Sequence, residues 1–383
     1  MTTTDLSAKT PAVARPFSRR IFIPARGQYS NVGDILLRRE LLDWARECGP
    51  LHVYLGWSPP GYAEGLRLQP GDVRYRSFIH WYFVALWHAS RGTASYVFKP
   101  GEIQLTLAGM KEHVSMLPVI GLVRARGGAV ARIGVGTRNF APVPRLLIWP
   151  SIALSNLSVW RDSETARYLG RGEVMPDLAF GEISQLPNRR PPGQTDAPRL
   201  LIVSLRSDLG ERPYPGEEWI AAVRSFALTH SFTIQTVTQV HVDDDRNRRL
   251  AHMLGAEFLG WDGTDHHLHE AQLRELYHRS AMVISDRLHV LVAAITEGAI
   301  PVALLLDTSD KIDRHFATAG MPGIGLFAAS LPAAEILEHL EASYARRGEL
   351  LTQLISARQA LQAVRLRLHS VLSAAVARRT VTG

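Results

Sequence analysis

The chain has 383 residues, 46% hydrophobic and 21% charged, the composition of an ordinary globular protein with room for about two domains. Its single cysteine, Cys48, excludes an internal disulfide and any multi-cysteine metal site, and fits a reducing compartment. The formal charge of +7 and a pI near 9.7 favour anionic partners, but the cations are mostly scattered Arg without a dense run or a nucleic-acid motif, so no nucleic acid is expected.

The first residues, Met1-Thr2-Thr3-Thr4-Asp5, are polar and lack a signal-peptide core, and no stretch reaches the ~18–20 apolar residues that cross a bilayer. A cytoplasmic protein is expected. Residues 1–20 read as a disordered tail; its Arg15, Arg19 and Arg20 read first as solubilising charge and second as contacts to anionic lipid. From residue 21, apolar strands alternate with amphipathic helices, which argues for parallel α/β sheets. Ile21-Phe22-Ile23 is the first strand, a helix follows from about Ile35 to Trp44, and Leu51 to Leu55 is the second strand. Phe78 to Trp87 is densely aromatic. It reads first as a core helix and second as an exposed surface that meets a membrane or a lipid-linked acceptor. Ser95 to Phe98 and Val130 to Val135 are strands, Pro144 to Asn156 is a helix, and Leu157 to Trp160 and Val174-Met175 are short strands.

Pro187, Pro191, Pro192, Gly193 and Pro198 mark residues 183–199 as a linker between a first domain, 21–182, and a second, 200–330. The second domain restarts with the strand Leu200 to Ser204. A helix near Trp219 to Leu228, a strand Phe232 to Val237, and helices near Arg246 to Met253 and Gln272 to His278 follow. His266-His267-Leu268-His269 looks like a metal cluster but lacks a partner at ligand spacing, and reads better as a polar helix entry. Ala281 to Ile284 is a strand, and Leu288, Leu291, Val292 and Ile295 then mark one buried helical face. Ser285 or Asp286 caps that helix in this reading, and Gly298 ends it. Pro301 to Leu306 is the last strand, and residues 331–383 form C-terminal helices.

Two doubly wound halves place a ligand cleft outside the carboxyl ends of their strands. Arg287, Leu288 and His289 occupy the first turn of a helix there, where free amides, the dipole and an imidazole suit a phosphate or carboxylate. Arg206 ends a strand in the same half, and its planar fork matches either anion. Lys311 follows the next strand. In the first half, Asn31-Val32-Gly33-Asp34 opens the first helix. Gly33 permits a tight turn and close approach to a ligand, and Asp34 caps the helix or accepts a proton from a substrate hydroxyl. This is no GxGxxG fingerprint, so dinucleotide binding is not supported.

With these residues in place, the chain resembles the polysaccharide pyruvyltransferase family. Ile284-Ser285-Asp286-Arg287-Leu288-His289 through Gly298-Ala299-Ile300-Pro301-Val302 resembles its S-x-R-L-H, alanine-rich helix and G-x-P-V. Asn31 to Asp34 resembles its N-x-G-D, Val159 to Ser163 its v-R-D-e-S, Met175 to Phe180 its P-D-x-a-F, and Ser204-Leu205-Arg206 its s-l-R. One departure is that Phe98-Lys99-Pro100-Gly101-Glu102 stands where the family usually has g-G-G. The resemblance implies a fold similar to the glycosyltransferase B architecture, with two Rossmann-like domains. It implies transfer of the enolpyruvyl group of phosphoenolpyruvate (PEP) to two hydroxyls of a sugar, giving a pyruvate ketal. Arg206, Arg287, Leu288, His289 and Lys311 would surround PEP in the second domain; Asn31, Gly33 and Asp34 would face the acceptor in the first.

PEP carries a phosphate and a carboxylate on three carbons, so its site needs several cations and amides in a small volume. Ketal formation needs a proton at the methylene carbon while a hydroxyl attacks the neighbouring carbon. His289 is the expected general acid and Asp34 the expected base. No metal or cofactor is required, with PEP as donor substrate. The acceptor is a sugar or lipid-linked oligosaccharide, met in the cytoplasm or at the inner face of the membrane. The rival expectations are a nucleotide-sugar glycosyltransferase of the same architecture and a non-catalytic protein that binds anionic glycans.

Overall fold

A computed structural model describes residues 19–183, 199–207 and 212–381, with side chains through residue 375. The chain builds two parallel sheets. The first contains β1 (Arg20–Pro24), β2 (Leu51–Tyr54), β3 (Val73–Tyr75), β4 (Ala94–Phe98), β5 (Gly101–Ile103), β6 (Val130–Thr137), β7 (Leu157–Trp160) and β8 (Glu173–Val174). Its order is β3-β2-β1-β4-β6-β7-β8, with β5 also paired to β6. The second contains β9 (Leu200–Ser204), β10 (Thr233–Val237), β11 (Glu257–Leu259), β12 (Ser280–Ser285), β13 (Ile300–Leu305) and β14 (Gly325–Phe327), ordered β11-β10-β9-β12-β13-β14. All eight residues of β6 and all six of β12 and β13 are buried, as strands covered by helices on both faces must be.

The first sheet's helices are α1 (Val32–Arg46), α2 (Tyr62–Gly65), α3 (Phe78–Ser90), α4 (Lys111–Ser115), α5 (Leu117–Ala125), α6 (Pro142–Ala153) and α7 (Ser163–Leu169). Those of the second are α8 (Glu217–Thr229), α9 (Asp244–Leu254), α10 (His266–Arg279), α11 (Leu288–Glu297), α12 (Lys311–Thr318), α13 (Ala333–Ala345) and α14 (Arg347–Val381). Right-handed crossovers, run in opposite directions from the middle of the first sheet, send α1 to one face and α4 to α6 to the other. That geometry puts α1 against the second half, where it meets α11 and α14.

The halves are joined at three levels. Backbone pairing links residues 30–32 to 239–241: Val32 N–H donates to Gln239 O and His241 N–H to Ser30 O. Beneath it, Arg39 of α1 pairs with Glu182 and with Glu270 of α10 (2.5 and 2.8 Å), while Arg274 reaches Glu182, Glu270 and Glu297. Burial pushes the Glu270 carboxyl up, but Arg39 and Arg274 override it and hold it well below the usual range. Losing one member would strand a buried charge at about 3–5 kcal/mol, so the cluster fixes the two halves in register. Finally α14 returns to the first half, where Arg358 donates to Phe180 O and Glu182 O and His369 Nε2 meets Trp44 O.

Several expectations change. Arg19 is no tail residue: it is buried, and its guanidinium donates to Ala375 O, Gly92 O and Arg126 O, which anchors the start of β1 to α14. Arg20, also expected in the tail, opens β1, while residues 1–18, and residues 184–198 of the expected linker, lie outside the described residues. The aromatic segment becomes α3, but only one of its faces is core. Trp81, Ala85, His88 and Ala89 are buried, while Ile79, Phe83 and Trp87 are exposed. The His266 to His269 run is a helix entry as expected, opening α10 under an Asp265 cap, but it is not polar surface throughout. His266 and His269 are buried there, His269 stacks on Trp261, and its Nε2 meets Thr238 O at 2.6 Å.

Candidate active site

The carboxyl ends of both sheets face one cleft of about 750 Å³. Its walls follow directly from strand ends. Arg138 comes one residue after β6, Arg161 one after β7, Arg206 two after β9 and Asp286 one after β12. Asn31 and Asp34 line it from the first turn of α1, Arg287 to His289 from the start of α11, and Lys311 from the start of α12. Apart from Gly33, every residue expected at the site from the sequence therefore lines this cleft. Seven Arg and Lys side chains line the cleft against three carboxylates.

Neither Ser285 nor Asp286 caps α11. Its N-cap is Arg287, in extended conformation, with no side-chain cap bond. Ser285 Oγ instead donates to Ser204 O and accepts from Arg287 N–H, stitching β12 to β9. Asp286 Oδ1 accepts the Arg206 N–H at 2.7 Å. Burial pushes the Asp286 carboxyl up to about 6, against the pull of that amide and the guanidiniums of Arg206 and Arg287. Spending both polar side chains on the sheet leaves the first-turn amides of α11 without a side-chain acceptor at the cleft wall.

The cations are held by carboxylates. Arg206 pairs with Asp307 (3.0 Å) and Asp286 (3.7 Å), and Arg212 also reaches Asp307 (2.5 Å). Arg287 makes a two-pronged pair with Asp243 (2.5 and 2.6 Å), so its guanidinium is steered toward α9. Lys311 pairs with Glu102 across the cleft. Burial lowers the Lys311 ammonium below its usual value, with Glu102 opposing the shift and Arg161 and Arg206 adding to it. Gly101 and Glu102 occupy the place of the departure from g-G-G. Gly101 takes φ +111°, and Glu102 supplies the carboxylate that bridges the halves.

His289 sits at the centre. Its Nε2 is buried without a hydrogen-bond partner, 3.7 Å from Asp177 Oδ2. Asp177 is itself held by Arg161 (3.0 Å) and by the Ala179 N–H. Burial pushes the Asp177 carboxyl up, but His289 and Arg161 outweigh it and keep it far below the ordinary carboxylate range. Arg161 also approaches Glu102 (3.6 Å), so a chain of charge runs from Lys311 through Glu102, Arg161 and Asp177 to His289. Arg161 and Asp177 had no role assigned from the sequence. They lie in the v-R-D-e-S and P-D-x-a-F resemblances, and Arg161 directly follows an expected strand, so the rule that inspects strand ends could have found it.

On the other wall, Asn31 caps α1 by accepting from Gly33 N–H (2.9 Å), so Asp34 is not the cap. Asp34 Oδ2 accepts the Gln28 N–H (2.8 Å) and pairs with Arg38 (3.2 Å). Burial raises the Asp34 carboxyl, but Arg38, the Gln28 amide and His289 bring it below its ordinary value. Gly33 makes no tight turn. It is an ordinary helical residue whose missing side chain gives room to His289: a methyl group there would lie 2.6 Å from the His289 Cβ.

A second cavity, about 660 Å³, opens within the first half and shares Gln28, Asp34, Arg38 and Glu102 with the cleft. Tyr54, Phe78, Trp81 and Tyr96 wall it, and Lys99 and Lys111 charge it. The Tyr96 hydroxyl is fully buried without a hydrogen-bond partner.

The chain resembles solved structures over almost its whole length. One is a Listeria monocytogenes protein described as a UDP-N-acetylglucosamine 2-epimerase (TM-score 0.55, 10% identity, 92% of this chain and 97% of that one). Another is the UDP-GlcNAc 2-epimerase of Neisseria meningitidis bound to UDP-GlcNAc (TM-score 0.54, 10% identity, 91% and 100%). At such identity the likeness is one of fold: two Rossmann-like domains in the glycosyltransferase B arrangement. No curated protein matches the sequence. The family described as polysaccharide pyruvyl transferase matches residues 31–304, from the cap of α1 almost to the end of β13, and so spans all of the cleft's lining but Gln28, Leu305, Ser309, Lys311 and Ile312. The chain belongs to the polysaccharide pyruvyl transferase family.

Proposed function

We propose that this protein transfers the enolpyruvyl group of PEP to two hydroxyls of a sugar in a polysaccharide or its precursor, forming a pyruvate ketal and releasing phosphate. The observation that carries the reading is the convergence of the uncapped α11 amino terminus, Arg206, Lys311 and His289 on one cleft. A small dianion is the ligand such a wall suits, because free amides and partly desolvated cations exchange their internal carboxylate partners for it. Arg287 contributes through its backbone and by placing the helix, since Asp243 holds its guanidinium.

His289 is the general acid. With Nε2 turned toward the ionised Asp177, Nδ1 is the nitrogen left to serve the cleft. It delivers a proton to the methylene carbon of PEP as a sugar hydroxyl attacks the adjacent carbon. A second hydroxyl then displaces phosphate and closes the ketal, and the released protons leave through Asp34 and solvent. Asp34 sits on the acceptor wall, and the second cavity, with aromatic faces and its Lys99 and Lys111 charges, receives the sugar.

The test is phosphate release from PEP mixed with candidate glycan acceptors, alongside thermal stabilisation by PEP and by uridine nucleotides. PEP should stabilise the protein and uridine nucleotides should not. His289→Ala should fold and still bind PEP, with turnover lowered by roughly 10²–10⁴-fold. Stabilisation by a uridine nucleotide alone would favour a nucleotide-sugar transferase. Binding of PEP without phosphate release from any acceptor would favour a non-catalytic glycan-binding protein.

A further inference from the structure

The first half carries an apolar face that the cleft does not use. Helices α3, α5 and α6 lie side by side on the sheet, α3 against α5 and α5 against α6. Their outward residues are aromatic and aliphatic: Ile79 (68% exposed), Phe83 (61%), Leu146 (73%), with Trp87, Val143 and Trp149 about half exposed. None of the residues in these three helices is acidic. From Arg76 to Asn156 the sequence has nine Arg and Lys and two acids, Glu102 and Glu112. Glu102 pairs with Lys311 in the cleft and Glu112 with Lys99 in the second cavity, so neither offsets the face. Arg91, Arg126, Arg145 and Lys111 are exposed at its edges, and the Arg91 guanidinium lies 3.8 Å over the Trp87 ring.

We propose that this face docks the protein on an anionic lipid bilayer. The pattern is that of an interfacial surface: aliphatic and phenyl side chains to enter the acyl boundary, indoles at headgroup depth, and a cationic rim to meet lipid phosphates. A second copy of the chain would bring the same cations against themselves, and charge complementarity selects the bilayer. Among the described residues no helix is long and apolar enough to cross a membrane, so the attachment is peripheral. The placement also has a use, one that rests on the pyruvyl-transfer reading. Phe78, at the start of α3, and Lys111 and Ser115, at the two ends of α4, wall the second cavity. A docked protein therefore opens that cavity beside the bilayer, where a lipid-anchored sugar with its phosphate would arrive.

The experiment is co-sedimentation of the full chain with vesicles of phosphatidylcholine containing phosphatidylglycerol, against phosphatidylcholine alone, at low and high salt. The wild-type protein should pellet with the anionic vesicles and less so at high salt. The triple variant Phe83→Ser, Trp87→Ser, Leu146→Ser should lose about tenfold or more in partitioning. Leu228→Ser, which removes an equally exposed leucine from α8, should bind as wild type. Arg91→Ala with Arg126→Ala spares the apolar residues and should weaken binding to anionic vesicles alone, which covers the case of a triple variant that misfolds. Failure of the wild-type protein to pellet, equal pelleting of the variants, or a wild-type dimer that the triple variant converts to monomer would overturn the proposal. Thermal stabilisation by PEP should be the same in the triple variant. If PEP stabilises neither protein, the donor reading fails while the docking result stands.

Discussion

Gly33→Ala is a one-methyl change that reaches the proposed acid without touching any charge. The added Cβ would sit 2.6 Å from the His289 Cβ and 3.0 Å from its Cγ and Nδ1. No ordinary contact is that short, so either the ring or the start of α1 must move. Overpacking of this kind costs about 1–3 kcal/mol, and exchange of a helical glycine for alanine returns up to about 1 kcal/mol. The net loss of stability should be about 0–2 kcal/mol, too little to unfold the chain. Turnover is more sensitive, because a displacement near 1 Å in a reacting group costs about 10²-fold. Affinity for PEP should change little, since Arg206, Lys311 and the amides of α11 are untouched. The assay pairs phosphate release with calorimetric PEP titration and a melting curve. In a His289→Gly background, which lacks both the ring and the Cβ that the new methyl meets, adding Gly33→Ala should lower turnover no further. Wild-type turnover in Gly33→Ala alone would refute the reasoning.

Asp177→Asn keeps the shape of the His289 support but removes its charge. Turnover should fall about tenfold to a hundredfold with PEP affinity nearly unchanged, and a change confined to affinity would mean that Asp177 orients the donor and not the imidazole. Arg206→Ala should weaken PEP binding by about 1.5–3 kcal/mol, the range for a hydrogen bond to a charged group, read by titration; an unchanged affinity removes Arg206 from the anion wall. Acid stability has a source away from the cleft. Burial, with His88 and Arg20 nearby, pushes His52 down to about 4, so its folded pKa lies below its unfolded value near 6.5. Its contribution is complete above pH 6.5 and is lost as the pH falls toward 4, at most about 3 kcal/mol. Denaturant midpoints for His52→Asn should fall less steeply than wild type over that interval.

The architecture was legible because buried parallel strands announce themselves. Ile21 to Ile23, Leu200 to Ser204, Ala281 to Ile284 and Pro301 to Leu306 are apolar runs that stay buried on both faces, and each appears within a residue or two of its expected place. What escaped was short or interrupted. β5 and β14 have three residues each and carry no period to detect, and α5 hides behind Pro118. The start of α11 and the cation loops were visible because they lie next to strong strands. Arg161, Asp177 and Glu102 were not singled out, because their roles come from partners far along the chain: Glu102 meets Lys311 and Asp177 meets His289 only once the halves close on each other. Capping shows the same limit. Ser285, Asp286 and Asp34 are all good cap residues by type, but each is drawn to a different backbone or cation by the fold around it. The aromatic run of α3 was ambiguous because one of its faces is core and another is exposed.

The central claim is that the amino end of α11, with Arg206, Lys311 and His289, holds the donor. A crystal structure of the protein with PEP tests it most directly. The account predicts one PEP in the cleft, its anionic groups within hydrogen-bond distance of the α11 first-turn amides, Arg206 and Lys311, and its methylene carbon beside the His289 ring. PEP seated elsewhere, or turned so that its methylene carbon faces away from His289, would contradict it.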